Sequence, residues 1–158
     1  MRTTFKSLGL VALIALLVGC SQNFVSAQND QKTVPGINGV WQTVVTPRIC
    51  ATGNPVGPTF PGLLMFVQDG TMTGTSTAVT SAYGNWSRET GRGEFSFAAI
   101  SLKYDASGNF AGTRRISQNV ILNEIGDAFT SSVTFQDFDP AGNPTISGCS
   151  TATGSRFN

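Results

Sequence analysis

The chain has 158 residues, of which ten are Lys or Arg, nine are Asp or Glu and none is His. A charge balance this close to neutral gives no electrostatic reason to expect a nucleic acid or an anionic bilayer surface as partner. The missing His removes the commonest general base and a frequent metal ligand. The low charged fraction, the eleven Phe and the many Thr, Ser, Asn and Gly residues fit an exported all-β protein.

The chain opens with Arg2 and Lys6, followed by an uninterrupted apolar run from Leu8 to Val18. A basic start, a short apolar stretch and a small residue at the cut describe a secretory signal peptide over residues 1–19, and the run is too short to span a bilayer. The ending Leu17-Val18-Gly19-Cys20 resembles the lipobox of bacterial lipoproteins, in which the cysteine is thioether-linked to diacylglycerol and becomes the mature N-terminus. That resemblance implies lipidation at Cys20 and a membrane partner through the lipid, with the outer membrane or periplasmic face of the cell envelope favoured. The alternative is Val25-Ser26-Ala27, whose small residues suit an ordinary signal peptidase and would release a soluble protein from Gln28. The lipobox cysteine abuts the apolar run directly, whereas Ala27 lies nine residues beyond Val18. Residues 20–36 lack apolar periodicity and end in Pro35-Gly36, so they read as a flexible spacer between anchor and domain.

From Ile37 to the end the sequence consists of short β-favouring runs separated by turn residues, with no 3.6-residue apolar stripe. Eight strands are predicted: Gly39–Thr46, Gly62–Gln68, Thr71–Val79, Tyr83–Glu89, Glu94–Tyr104, Phe110–Leu122, Ala128–Phe138 and Thr145–Phe157. The segments Asp105-Ala106-Ser107-Gly108-Asn109 and Asp139-Pro140-Ala141-Gly142-Asn143 are nearly the same loop, and Asp69-Gly70 is a tighter relative. Each reads as a hairpin turn, because Asp accepts local backbone hydrogen bonds and Gly or Asn tolerates positive φ. A calcium loop would need two or three more acids in sequence. In the seventh strand Phe129, Ser131, Val133 and Phe135 alternate with Thr130, Ser132, Thr134 and Gln136, which predicts one buried and one wet face. The run from Leu63 to Val67 is apolar on both faces. It calls either for cover by a loop, for which Pro47 to Pro61 is the candidate lid, or for an exposed apolar patch.

With Cys20 assigned to lipid, Cys50 and Cys149 remain as one possible disulfide in an oxidising compartment, the alternative being two buried free thiols. No two cysteines are near neighbours, so their spacing fits neither a CxxC redox motif nor a structural zinc site.

Gly39-Val40-Trp41 in the first strand and Arg156-Phe157 at the end resemble the calycin superfamily, lipocalins above all. There a Gly-x-Trp opens the first strand and a terminal Arg packs across the indole at the closed end of an up-and-down barrel. The resemblance implies an eight-stranded antiparallel barrel over residues 37–158, with Trp41 and Arg156 at its base. Thr46-Pro47-Arg48-Ile49-Cys50 and Gly154-Ser155-Arg156-Phe157 are also similar to a group of uncharacterised secreted bacterial proteins. Facing residues in an antiparallel pair have a constant sum of numbers, and Trp41 with Arg156 and Cys50 with Cys149 imply the same register to within one bulge or diagonal contact. Both pairings bring the first and last strands together and close a barrel; if those strands lay in different sheets, a sandwich would be the better fold.

A second Gly-x-Trp places Trp86 on the fourth strand, as a core residue or a stacking surface for a ligand. Arg114 and Arg115 point to opposite faces. Either both lie near a barrel end in solvent, or Arg114 turns inward and pairs with an acid such as Asp137, which would suit a polar ligand group. No catalytic residues, metal ligands or cofactor are assigned, since most acids sit in turns and only Glu94 and Asp137 lie in strands. Some calycin-like barrels, resembling allene oxide cyclase, act on an apolar substrate with a single carboxylate, which keeps a cyclase or isomerase as the remote alternative. The leading expectation is a small apolar ligand held by the inner faces, with Val45, Leu64, Phe66, Trp86, Phe97, Arg114, Phe129, Val133 and Phe135 as lining candidates. The same residues would equally build a filled core, in a structural or interaction module of the envelope.

Overall fold

The computed structural model describes residues 36–157. The signal segment, Cys20, the alternative cut at Ala27 and all of the spacer except Gly36 lie outside the described residues. The rest is all-β: β1 (Gly39–Arg48), β2 (Phe60–Phe66), β3 (Thr71–Ser76), β4 (Val79–Arg88), β5 (Glu94–Tyr104), β6 (Phe110–Leu122), β7 (Ala128–Phe138) and β8 (Pro144–Arg156). Each strand pairs antiparallel with the next, and β8 pairs back onto β1, so the sheet closes into an up-and-down barrel. Closure leaves no sheet edge to be protected from aggregation.

The closing seam runs unbroken from Trp41 opposite Arg156 to Arg48 opposite Cys149. Cys50 stands just past the end of β1, and its disulfide to Cys149 is therefore a diagonal link, with the Cα atoms 5.1 Å apart. It ties together residues 99 apart in sequence. In the chain-entropy treatment a loop of that length is worth roughly 4 to 5 kcal/mol as an upper figure.

The largest departure from the expected strands is the third hairpin. Its turn is Thr77-Ala78, several residues earlier than predicted, so β3 is shorter and β4 longer. The pair carries neither Gly nor Asn, and no residue there has positive φ. Side chains shape it instead: Ser76 Oγ accepts from the N–H groups of Ala78 and Val79, and Thr75 Oγ1 donates to the Thr80 carbonyl at 2.7 Å. The hairpins at Asp69, Asp105 and Asp139 follow the expected chemistry. Asp105 Oδ1 accepts from the backbone of Ser107 and Asn109, Asp139 Oδ1 accepts from Asn143, and Gly108 and Gly142 take positive φ. Hydrogen bonds from the backbone and side chain of Asn109 hold the Asp105 carboxyl below its ordinary range, and the side chain and backbone of Asn143 do the same for Asp139.

The segment between β1 and β2 is not a lid. It curls on itself, with Ile49 N–H donating to Asn54, Val56 N–H to Pro47, and Arg48 Nη1 to Gly53. Residues 51–59 are exposed. Leu63, Met65 and Val67 consequently keep 40–45% of their surface in water, and the apolar outer face of β2 is an open patch.

Along every strand the side chains alternate inward and outward, but inward size changes sharply with height. At the end holding the β2–β3, β4–β5 and β6–β7 turns the interior is filled by Trp41, Phe66, Met72, Phe95, Leu122 and Phe129, all buried. Towards the other end the inward positions include Gly62, Gly74, Ala82, Ala99, Ser150 and Ala152. A barrel of eight strands is just wide enough to be filled by side chains. Large ones close its base, and small ones leave space above it.

Candidate functional site

The base is organised by Trp41 and Arg156. Trp41 is fully buried, donates its indole Nε1–H to the Ile37 carbonyl at 2.8 Å, and lies 5.1 Å from the Phe129 ring. Gly154 makes that ring contact possible, because a Cβ on it would collide with Phe129. The Arg156 guanidinium sits 4.5 Å from the indole ring and uses all three nitrogens on carbonyls: Nε on Gly126, Nη1 on Asn38 and Nη2 on Gly36. It thus binds the residues before β1 and the β6–β7 turn across the bottom of the barrel. Each of the three nitrogens is engaged by backbone, so the guanidinium serves to hold the base together.

Above the base lies a cavity of about 290 Å³. Its wall includes Val45, Leu64, Phe97, Arg114, Val133 and Phe135 from the expected lining set, together with the small residues above, and it reaches the rim at Pro47, Phe60 and Ala78. Phe66, Trp86 and Phe129 do not line it, which corrects the expected set. Phe66 packs against Phe97 at 5.7 Å and Trp86 at 6.3 Å, and Trp86 donates its Nε1–H to the Val67 carbonyl, near the lower turns. These three are floor, not wall. The polar groups inside are paired, with Gln118 Nε2 donating to Ser131 Oγ at 2.8 Å and Ser131 donating to the Ala152 carbonyl. A ligand in the middle of the barrel therefore meets mainly apolar surface.

A charged cluster stands at the upper wall. Arg114 turns inward and grips Asp137 through Nε–Oδ1 at 2.6 Å and Nη2–Oδ2 at 2.9 Å, and Lys103 Nζ reaches Oδ2 at 2.7 Å. Register explains the meeting: Arg114 faces Asp137 across β6 and β7 and faces Ser101 across β5 and β6, two residues from Lys103. Burial of Asp137 raises the pKa of its carboxyl, but the hydrogen bonds and charges of Arg114 and Lys103 more than offset this, and the net direction is down. The Arg114 guanidinium also lies 4.3 Å from the Phe135 ring, whose position against β8 needs Gly148, where a Cβ would meet its edge. Arg115 points the other way, exposed, over Phe138.

Glu94 and Asp137 are not brought together, since Glu94 begins β5 at the base and Asp137 is near the upper end of β7. Lys103 was missed by the sequence reading. Its signal was present, because it continues the inward alternation Phe95, Phe97, Ala99, Ser101. The small wall residues were missed for another reason: Gly and Ala carry no strong preference for an inner face. No protein-family model, curated protein or solved structure matches this chain.

Proposed function

We propose that this protein is an exported, lipid-anchored carrier that binds one small, mainly apolar molecule in the upper half of its barrel without transforming it. The observation that carries this reading is the cavity, a mainly apolar space of about 290 Å³ above a sealed aromatic base and reaching the rim. It lies at the small end of ligand pockets, which run from roughly 300 to 1,000 Å³. A water takes up roughly 30 Å³ of the liquid, so the space corresponds to about ten groups of that size. Support for a lipocalin-like relationship comes from the stack of Arg156 on Trp41 at the base, the arrangement that the resemblance of these two residues implies. The envelope location rests on the lipobox-like ending at Cys20.

Native mass spectrometry of the protein purified from its own host tests the carrier. Co-purifying apolar molecules of that size are the expected result, and their consistent absence sinks the reading. The mass of the mature N-terminus tests the anchor: a diacylglycerol-modified Cys20 is expected, and a chain beginning at Gln28 overturns it.

One observation favours a second reading, a structural or interaction module of the envelope. Leu63, Met65 and Val67 are exposed together, and Val44, Pro61 and Leu63 border a shallow groove on the outer face. A barrel that never carries a small molecule, and whose role in the cell depends on those outer residues, would fit that reading instead.

A further inference from the structure

We propose that the upper wall of the cavity is an anion site and that the ligand is an apolar monocarboxylic acid, its chain in the cavity and its carboxylate on Arg114, with the charge of Lys103 close behind. The inference rests on the carrier reading and names its ligand class. Among the described residues, two cations share one carboxylate in this cluster, an excess of one positive charge. The buried Asp137 accepts three bonds, one on Oδ1 from Arg114 and two on Oδ2 from both cations. Arg114 Nη1 has no acceptor among the described residues, and the Lys103 ammonium spends one of its three N–H groups on Asp137.

Both cations reach water, so the excess charge is partly solvated, and its place beside the cavity is what bears on binding. Arg114 lines the apolar space, and Lys103 stands behind it on the same carboxylate. The contact with Phe135 and the two bonds to Asp137 hold the guanidinium plane in place, so its free edge is oriented before a ligand arrives. The turn acids at the same end, exposed Asp105 and half-buried Asp139, are bonded to their own turns and make no ion pair with Arg114 or Lys103 among the described residues. A cationic ligand would meet two cations already on Asp137, and a neutral one would give the unspent Arg114 donor no charged acceptor. A single carboxylate balances the excess charge and accepts the spare donors, with a chain of about ten carbon-sized groups or fewer filling the space behind.

The test is calorimetric titration of the mature chain, stripped of co-purifying apolar molecules, with decanoate and 1-decanol as probes sharing one chain. Decanoate is expected to bind about tenfold or more tightly than the alcohol, the weight of roughly one charge-assisted hydrogen bond. Lys103→Met removes the excess charge while leaving the two-pronged Arg114–Asp137 pair to hold the fold. It is expected to erase most of that preference, read as the ratio of the two affinities. Equal binding of the two probes, or a Lys103→Met protein that keeps the full preference, overturns the anion site while the carrier stands. Failure of both probes to bind overturns the anion site and the carrier together.

Discussion

The two ends of the barrel each place a guanidinium on an aromatic ring, and they use the pair in opposite ways. Arg156 lies over Trp41 with all three nitrogens on backbone carbonyls, whereas Arg114 lies over Phe135 with two nitrogens on a carboxylate and one unspent. The residues around them differ in the same sense. Trp41, Phe129, Phe66 and Phe95 leave no room at the base, while Gly62, Gly74, Ala99 and Ala152 leave room above. One end uses its arginine to close the fold, and the other keeps donors available beside a space. A cation over an aromatic ring is therefore no guide to function until its remaining hydrogen bonds are accounted for.

The strongest way to break this contrast is at the base. Trp41→Ala removes the largest buried ring and the surface beneath Arg156, and a loss of about 3 to 5 kcal/mol in urea unfolding is expected. A loss below about 1 kcal/mol would mean that the base is not where stability resides. Replacing both Cys50 and Cys149 by Ser comes next, at roughly 2 to 4 kcal/mol, because their link closes most of the described domain into one loop. Its effect should be the same with or without an occupant in the cavity, and a ligand-dependent difference would tie the rim staple to binding.

The mouth should respond more weakly and with a pH signature. Asp137→Asn leaves two cations without their counter-charge, but both reach water, so about 1 to 3 kcal/mol is expected near neutral pH. The folded-state pKa of Asp137 lies below its ordinary value of 3.8, so its contribution is fully present above that value. It is lost as pH falls through the lower folded value, and the difference between wild type and Asp137→Asn should shrink there. A gap that stays constant into strong acid would show that the charge of Asp137 is not what stabilises the cluster. The smallest effect on stability belongs to Lys103→Met, under about 1 kcal/mol, since its partly exposed ammonium is one of two cations on Asp137. If it instead costs as much as Asp137→Asn, Lys103 belongs to the fold and not to a site.

Much of the architecture was legible in the residues. Turn chemistry at Asp69, Asp105 and Asp139 and two-residue alternation placed most strands, and the pairing of Trp41 with Arg156 anticipated the register that closes the barrel. The third hairpin was misplaced because its turn is made by Ser76 and Thr75 hydroxyls, which resemble ordinary strand residues in a sequence. The expected lid failed for a related reason. Pro and Gly marked a loop from Pro47 to Pro61, but its hydrogen bonds run back to its own start, and residues 51–59 stay exposed instead of covering the cavity.

By itself the sequence determined which strands exist, which large apolar residues of the seventh strand share a face, and which strands meet at the seam, because these follow from local turns and from a side-chain period of two. Only the tertiary structure decided how high each inward residue stands. Phe129 and Phe135 share one face of β7, yet the first is buried in the floor and the second borders the cavity. Height along a barrel depends on strand tilt and on the stagger accumulated around the closed sheet, which no local pattern encodes. The same stagger brings Lys103, Arg114 and Asp137 together from three strands, and it separates a filled base from an open mouth.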